Sequence, residues 1–243
     1  MTSNCKYLFP FIAPPNGGKG TQTRLLNEKY QLPTFDMGAT FRAIVKENTD
    51  PELKAEICSF IDNGRLVPVE TVAKVFTVHF KRLMKACPDL PAFILDGFPR
   101  SKEQAEILDD FCKAEQGALV FGKAIYLNIG MDTVKKRATG RRFCTQENAH
   151  VYNINIDGFK PIESTTDGHT EWLCPIDNGV LFQRKDDAEE TVVKRLREYA
   201  LETDPLIEYF KNKNLLCEIN GEQSPDQIAS EIDQIILPFL AAS

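Results

Sequence analysis

Tyr7-Leu8-Phe9-Pro10-Phe11-Ile12 runs directly into Ala13-Pro14-Pro15-Asn16-Gly17-Gly18-Lys19-Gly20-Thr21. The apolar run reads as a strand, and the glycine-rich turn after it leads into a helix. Successive backbone N–H groups in such a turn point into one concavity, where the helix dipole adds partial positive charge. Lys19 can reach further out along a polyphosphate, and Thr21 supplies a hydroxyl. Asn16, Gly17, Gly18 and Gly20 complete the candidate cradle. The phosphate-loop pattern of Gly, four residues and Gly-Lys-Ser/Thr is met only in part. Ala13 holds the first glycine position, and Gly20 separates the lysine from Thr21. Pro10 also removes a ladder donor from the strand. An ordinary strand-turn-helix connection is the competing local reading.

The 243 residues can bury one large core, or a core with inserted subdomains. Apolar residues at 42% and charged residues at 26% indicate a globular protein. A net charge of -6 and a pI near 5.3 give no reason to expect nucleic-acid or membrane partners. No apolar stretch reaches the roughly 18 residues of a membrane span. Met1 to Lys6 lacks the pattern of a signal peptide. Seven widely spaced cysteines suit a reducing compartment, so the sequence reads as cytoplasmic.

Five short apolar runs read as strands: 7–12, 32–35, 92–95, 123–129 and 215–219. Helical patterns lie between them. Asp50-Pro51 is an N-cap with proline at the first helical position, followed by the stripe Leu53, Ile57, Phe60 and Ile61, with Gly64 placed to end the helix. A longer helix is expected over 69–86. Asp132 and Asp187 read as later N-caps, and Ser224-Pro225 opens the last helix. Alternating strands and helices predict an α/β fold, a parallel sheet covered on both faces. Ligands in such sheets lie beyond the carboxyl ends of the strands, where 13–19 and Asp96 both fall. Residues 141–184 lack helical periodicity, as a lid or small subdomain would.

Leu95-Asp96-Gly97-Phe98-Pro99-Arg100 follows the third strand. Asp96 can hold metal-bound water near a phosphate, and Arg100 can fork onto phosphate oxygens. A tight turn with a surface ion pair is the plain alternative. Arg137, Arg141, Arg142, Arg184, Arg195 and Arg197 then accumulate around the helix-poor segment. Ser101-x-x-Gln104 and Asp187-x-x-Glu190 have the form of capping boxes, so spacing alone assigns no function to Gln104 or to the acidic residues.

Taken in order, Gly-Gly-Lys-Gly-Thr-Gln at 17–22, Met-Gly-Ala-Thr-Phe-Arg at 37–42 and Gly-Arg-Leu-Val at 64–67 are followed by Leu-Asp-Gly-Phe-Pro-Arg at 95–100. Gly-Arg-Arg at 140–142 and Arg-Lys-Asp-Asp-Ala-Glu-Glu-Thr-Val at 184–192 complete the series. Over nearly its whole length the chain resembles the adenylate kinases, in their long-lid form. The resemblance implies a P-loop NTPase-type five-stranded parallel sheet flanked by helices. It divides the chain into a core (1–35, 68–139 and 188–243), a monophosphate-binding insertion (36–67) and a lid (140–187). It implies magnesium-dependent transfer between ATP and AMP, with ADP as product, by a monomer. Lys19 would hold the β and γ phosphates. Arg42 and Arg100 would grip the acceptor phosphate, and Arg141, Arg184 and Arg195 would close over the transferring group. Arg65, Leu66, Val67, Gly97 and Gln104 would form the acceptor site. Arg137, Val151, Tyr152 and Gln223 would line the donor site, and Asp96 would orient waters on magnesium.

Departures are few but specific. Ala13 and Asn16 replace glycines of the family loop. Met37 stands where the family usually has a threonine against the acceptor base, and Ala39 replaces an acidic residue. Base selectivity therefore stays open, with GTP or a pyrimidine monophosphate as alternatives, as does a binding module without turnover. Many long-lid relatives hold zinc on two Cys-x-x-Cys or Cys-x-x-Asp pairs. Here the pairs are Cys144-Thr-Gln-Glu147 and Cys174-Pro-Ile-Asp177, with His150 nearby as a substitute ligand. Zinc accepts all these donor types. A metal-free hydrogen-bonded cluster is the alternative.

Overall fold

The structure, a computed structural model, describes residues 5–63, 65–147, 150–155, 159, 162–166 and 169–241. The chain alternates strands and helices from the start: β1 (Lys6–Ile12), α1 (Lys19–Tyr30), β2 (Thr34–Asp36), α2 (Met37–Glu47), α3 (Pro51–Ile61), α4 (Val69–Ala86), β3 (Ala92–Asp96) and α5 (Lys102–Ala114). Next come β4 (Leu119–Phe121), β5 (Ala124–Asn128) and α6 (Met131–Gly140). Short strands follow, β6 (Arg141–Cys144), β7 (Val151–Asn153), β8 (Ile162–Thr166), β9 (His169–Leu173) and β10 (Leu181–Phe182), with a 3₁₀ turn at Lys185–Asp187. The chain closes with α7 (Glu189–Asn212), β11 (Leu216–Asn220) and α8 (Pro225–Leu240).

The five expected strands form a parallel path, β11-β5-β1-β3-β2. A sixth strand, β4, was not expected and also pairs with β1. It explains Pro10. Lys6 N–H donates to Ala118 O and Tyr7 N–H to Pro91 O, so even-numbered residues of β1 donate toward β4 and β5. Pro10 lacks its donor on that side. There the pairing passes from β4, against Lys6–Leu8, to β5, against Phe11 and Ile12. The missing N–H thus falls at a break in the ladder. Gly122 turns the chain between the two strands, and a Cβ on it would lie 2.4 Å from the Phe9 ring.

Period-2 alternation on β1 and β3 builds two apolar layers. Leu8, Phe93 and Leu95 join Phe76 and Phe80 of α4 and Leu108 of α5. Phe9, Phe11 and Ile94 join Leu26 of α1 and Ile228, Ile232 and Ile236 of α8. Both faces are buried, so the central strands read as nearly continuous apolar runs. The carboxyl ends of β1 and β3 open on the loops at 13–18 and 97–101, as the parallel sheet predicts.

Helix starts follow their caps in most cases. Asp50 accepts the Leu53 N–H at 3.0 Å, and Ser224 forms a capping box with Gln227. The helix expected over 69–86 has those bounds. Two expected caps are corrected. Gly130, not Asp132, precedes α6; Asp132 lies in its first turn. Ala188, not Asp187, precedes α7, because the Asp187 carboxylate is turned inward to Arg141. Gly64, expected to end α3, lies outside the described residues. No helix forms within 141–184 among the described residues. A small antiparallel sheet, β10-β6-β7, and the β8–β9 hairpin occupy that segment.

Candidate active site

The phosphate loop starts the site. Gly18 adopts φ 91 at the N-cap of α1, a left-handed conformation that glycine adopts without strain. Lys19 folds back into the loop, and its Nζ donates to Ala13 O at 2.6 Å and Pro14 O at 3.1 Å. Burial lowers its pKa to about 8, against the opposing pull of the Asp96 charge. Burial in turn raises Asp96, against the pull of Lys19. The two charges thus act on each other at the carboxyl edge of the sheet. Added phosphate charge would favour the charged ammonium.

A cleft of about 1550 Å³ opens over this loop. Asn16, Gly17, Gly18, Lys19, Gly20 and Thr21 form its floor. Met37, Arg42, Arg65, Leu66, Val67, Asp96, Gly97, Arg100 and Gln104 line one end. Arg137, Arg141, Val151, Tyr152, Arg184, Arg195 and Gln223 line the rest. Arg100 is braced twice: its Nε donates to Gly97 O at 3.0 Å, and its N–H donates to Gln104 Oε1 at 2.8 Å. Gln104 is buried, at 3% exposure, and its helix is capped by Ser101 Oγ. The reciprocal capping-box bond to Ser101 N–H does not form, since the Gln104 carbonyl goes to Arg100. Arg42 lies 3.7 Å from Asp36, which caps α2 through the Ala39 N–H. Met37 is buried among the apolar residues of that end.

The arginines in and beside the lid are held by several partners. Arg141 grips Asp187 with two bonds, Nε to Oδ2 at 2.9 Å and Nη2 to Oδ1 at 2.6 Å. Its guanidinium lies 5.0 Å from the Phe143 ring and that of Arg184 3.6 Å from it. Arg142 does not line the cleft; it stacks on Trp172 at 5.4 Å. Arg137 Nη2 donates to Gly221 O at 3.4 Å. Gln223 Nε2 donates to Glu231 at 2.7 Å. Sequence reasoning missed Asp36, Lys185, Glu198, Tyr199 and Glu202, which also line the cleft. Glu198 Oε1 approaches the Leu66 N–H at 3.5 Å. Glu198 and Glu202 follow Arg195 at helical spacing on α7, the one local signal that could have found them.

The lid's cysteines form a second cluster. One ligand atom from each of Cys144, His150, Cys174 and Asp177 lies within 4.8 Å of the others. His150, not Glu147, completes this set, which corrects the expected ligand. The hairpin of β6 and β7 causes this, because Cys144 N–H donates to His150 O and so sets the two residues side by side. Asp177 Oδ1 lies 3.1 Å from Cys144 Sγ, and Oδ2 lies 2.9 Å from His150 Nδ1. Gln146 N–H donates to Cys144 Sγ at 3.3 Å. The Cys174 contact, the Gly179 N–H and Cys144 together hold the Asp177 carboxyl below the usual carboxylate range. Tyr152 is shared with the cleft: its hydroxyl lies 3.1 Å from Cys174 Sγ.

Among the described residues, no helix is long and apolar enough to cross a membrane. The family model described as adenylate kinase matches residues 11–215. A protein named adenylate kinase from Clostridium botulinum (strain 657 / Type Ba4) is 39% identical over 225 residues, 93% of this chain and 96% of that relative. The Clostridium tetani protein of that name is 36% identical over the same shares. Another, from Streptomyces lividans, is 38% identical over 208 residues, 86% of this chain and 95% of its own length. With a parallel sheet, a phosphate loop and an arginine-lined cleft in the same molecule, the chain belongs to the adenylate kinase family of phosphotransferases.

Proposed function

We propose that the chain transfers the terminal phosphoryl group of magnesium-bound ATP to AMP, reversibly, giving two ADP. The observation that carries this reading is convergence. Lys19, Asp96 and eight arginines, Arg24 among them, from segments far apart in sequence, line one cleft above the phosphate loop. Phosphoryl transfer needs positioning and charge neutralisation more than covalent help from the protein.

Lys19 and the loop amides hold the β and γ phosphates of the donor. Arg42 and Arg100 hold the acceptor phosphate, and the Gln104 brace fixes the backbone from which Arg100 extends. Arg141, Arg184 and Arg195 neutralise the charge on the transferring group. Asp96, a half-buried carboxylate at the end of β3 that lines the cleft with Lys19, fits the role of orienting magnesium-bound water. Arg65, Leu66, Val67, Gly97 and Met37 shape the acceptor-base end. Arg137, Val151, Tyr152 and Gln223 shape the donor-base end. Segments 36–67 and 140–187 act as mobile insertions on the core, and lid closure excludes the water that would otherwise take the phosphoryl group. The protein acts as a monomer in the cytoplasm, a reading supported by seven free cysteines and by family resemblance.

The lid cluster fits a structural zinc, with Cys144, His150, Cys174 and Asp177 as ligands. Burial pushes the Cys144 thiol up, while against its burial the Tyr152 hydroxyl and backbone N–H groups draw Cys174 down toward the thiolate, the form that binds metal. Elemental analysis of protein expressed with zinc should find about one zinc per chain, reduced by Cys144→Ser. Protein without zinc would assign the cluster to hydrogen bonding instead.

A coupled assay with ATP and GTP against AMP, GMP, CMP and UMP tests the reaction. ATP with AMP should give the highest kcat/KM. Absence of turnover with every pair would reduce the chain to a nucleotide-binding module, and a better acceptor than AMP would reassign the base site around Met37.

A further inference from the structure

The Asp187 carboxylate is fully buried at the root of the lid. Among the described residues, side-chain N–H groups of Arg141, twice, and of Asn16 reach it, the Asn16 Nδ2 at 3.3 Å from Oδ1. Arg141 lines the nucleotide cleft and Asn16 belongs to the phosphate loop. One buried anion therefore joins the loop to the strand that starts the lid.

This arrangement sets a conflict. To close over phosphate, Arg141 must leave Asp187. A buried carboxylate stripped of its partner is strongly unfavourable. Without another donor, Asp187 would hold Arg141 back from the substrate.

We propose that Asn16 is a positioning residue whose side-chain amide keeps Asp187 satisfied while Arg141 turns to bound phosphate. The proposal rests on the kinase reading above. Only the NH₂ end of an amide can donate to a carboxylate, so the contact fixes which way Asn16 faces. Its Oδ1 is buried and makes no hydrogen bond among the described residues. An unpaired buried carbonyl is a cost that glycine would avoid. The backbone does not demand asparagine either, since at φ 62 glycine is unstrained. What the side chain contributes is its Nδ2 contact with Asp187. That contact matters most in the state where Arg141 has gone.

Asn16→Gly removes the amide without straining the loop. Calorimetric titration with magnesium-ATP should show affinity weakened about tenfold, the scale of one hydrogen bond to a charged group. The KM for AMP should stay within about twofold, and the ligand-free melting temperature should change little. Asn16→Asp should bind magnesium-ATP more weakly than Asn16→Gly, because a second carboxylate holds Arg141 more firmly. In an Asp187→Asn background, where no buried charge remains, Asn16→Gly should have no further effect. An Asn16→Gly protein with wild-type affinity overturns the proposal. So does Asn16→Asp binding as well as Asn16→Gly, or an equal loss in the Asp187→Asn background. Wild-type turnover with ATP and AMP, measured alongside, tests the kinase reading separately: an active wild type with an indifferent Asn16→Gly overturns only the role of Asn16.

Discussion

Lys19→Met should change stability and catalysis in opposite directions. In the ligand-free protein the ammonium is enclosed by the loop, and burial lowers its pKa from 10.5 to about 8. The gap between those values, at 1.36 kcal/mol per pH unit, is about 3 kcal/mol. The sign follows from proton counts. Below about pH 8 the lysine is charged in both states, and the folded state bears the whole cost. Between about pH 8 and 10.5 the unfolded chain holds more protons than the folded one, so wild-type stability rises with pH. Methionine is of similar length and carries no proton, so it escapes this cost. Its advantage over lysine should be greatest at pH 7 and should shrink by about 3 kcal/mol by pH 10.5. The two carbonyls that lose a donor offset part of the gain, by about 1 kcal/mol each, but equally at every pH. Urea denaturation of both ligand-free proteins from pH 7 to 10.5 reads the difference curve, because groups remote from Lys19 titrate alike in both. Parallel curves would refute the reasoning. Turnover should fall by several orders of magnitude at every pH, since one charge is lost from a preorganised site.

Arg141→Ala leaves Asp187 buried without its main partner and should cost about 3–5 kcal/mol in chemical denaturation, more than an exposed ion pair could. Gln104→Ala removes the acceptor of the Arg100 N–H; the KM for AMP should rise more than that for ATP in steady-state kinetics, with a stability loss of about 1–3 kcal/mol. Gly122→Ala would press a methyl group against the Phe9 ring and should destabilise by about 1–3 kcal/mol while leaving both Michaelis constants unchanged.

The central layer was legible because its signals are local. An apolar run, a glycine-rich turn and a helix start follow one another within about twenty residues, and each has its own periodicity or cap. β4 escaped because three residues, Leu119–Phe121, carry no period. Pro10 argued against a central strand until β4 and β5 were seen to meet opposite it.

The sequence by itself determined the parallel α/β layer, the phosphate loop and the residue types that line the cleft. Each is written in spacings that backbone geometry imposes over a few residues. Only the tertiary structure decided what pairs with what. Asp187 has the spacing of an N-cap, yet its carboxylate answers Arg141, 46 residues earlier. His150 rather than Glu147 stands beside Cys144, because a hairpin and not a Cys-x-x spacing sets that distance. Asn16 reads as a defect in a glycine loop until Asp187 is placed against it. The partners of Asp187 are remote in sequence, that of Cys144 lies across a hairpin, and in each case the carboxylate or thiol is buried. Such groups must find a partner in the folded core, and no local pattern states which one it will be.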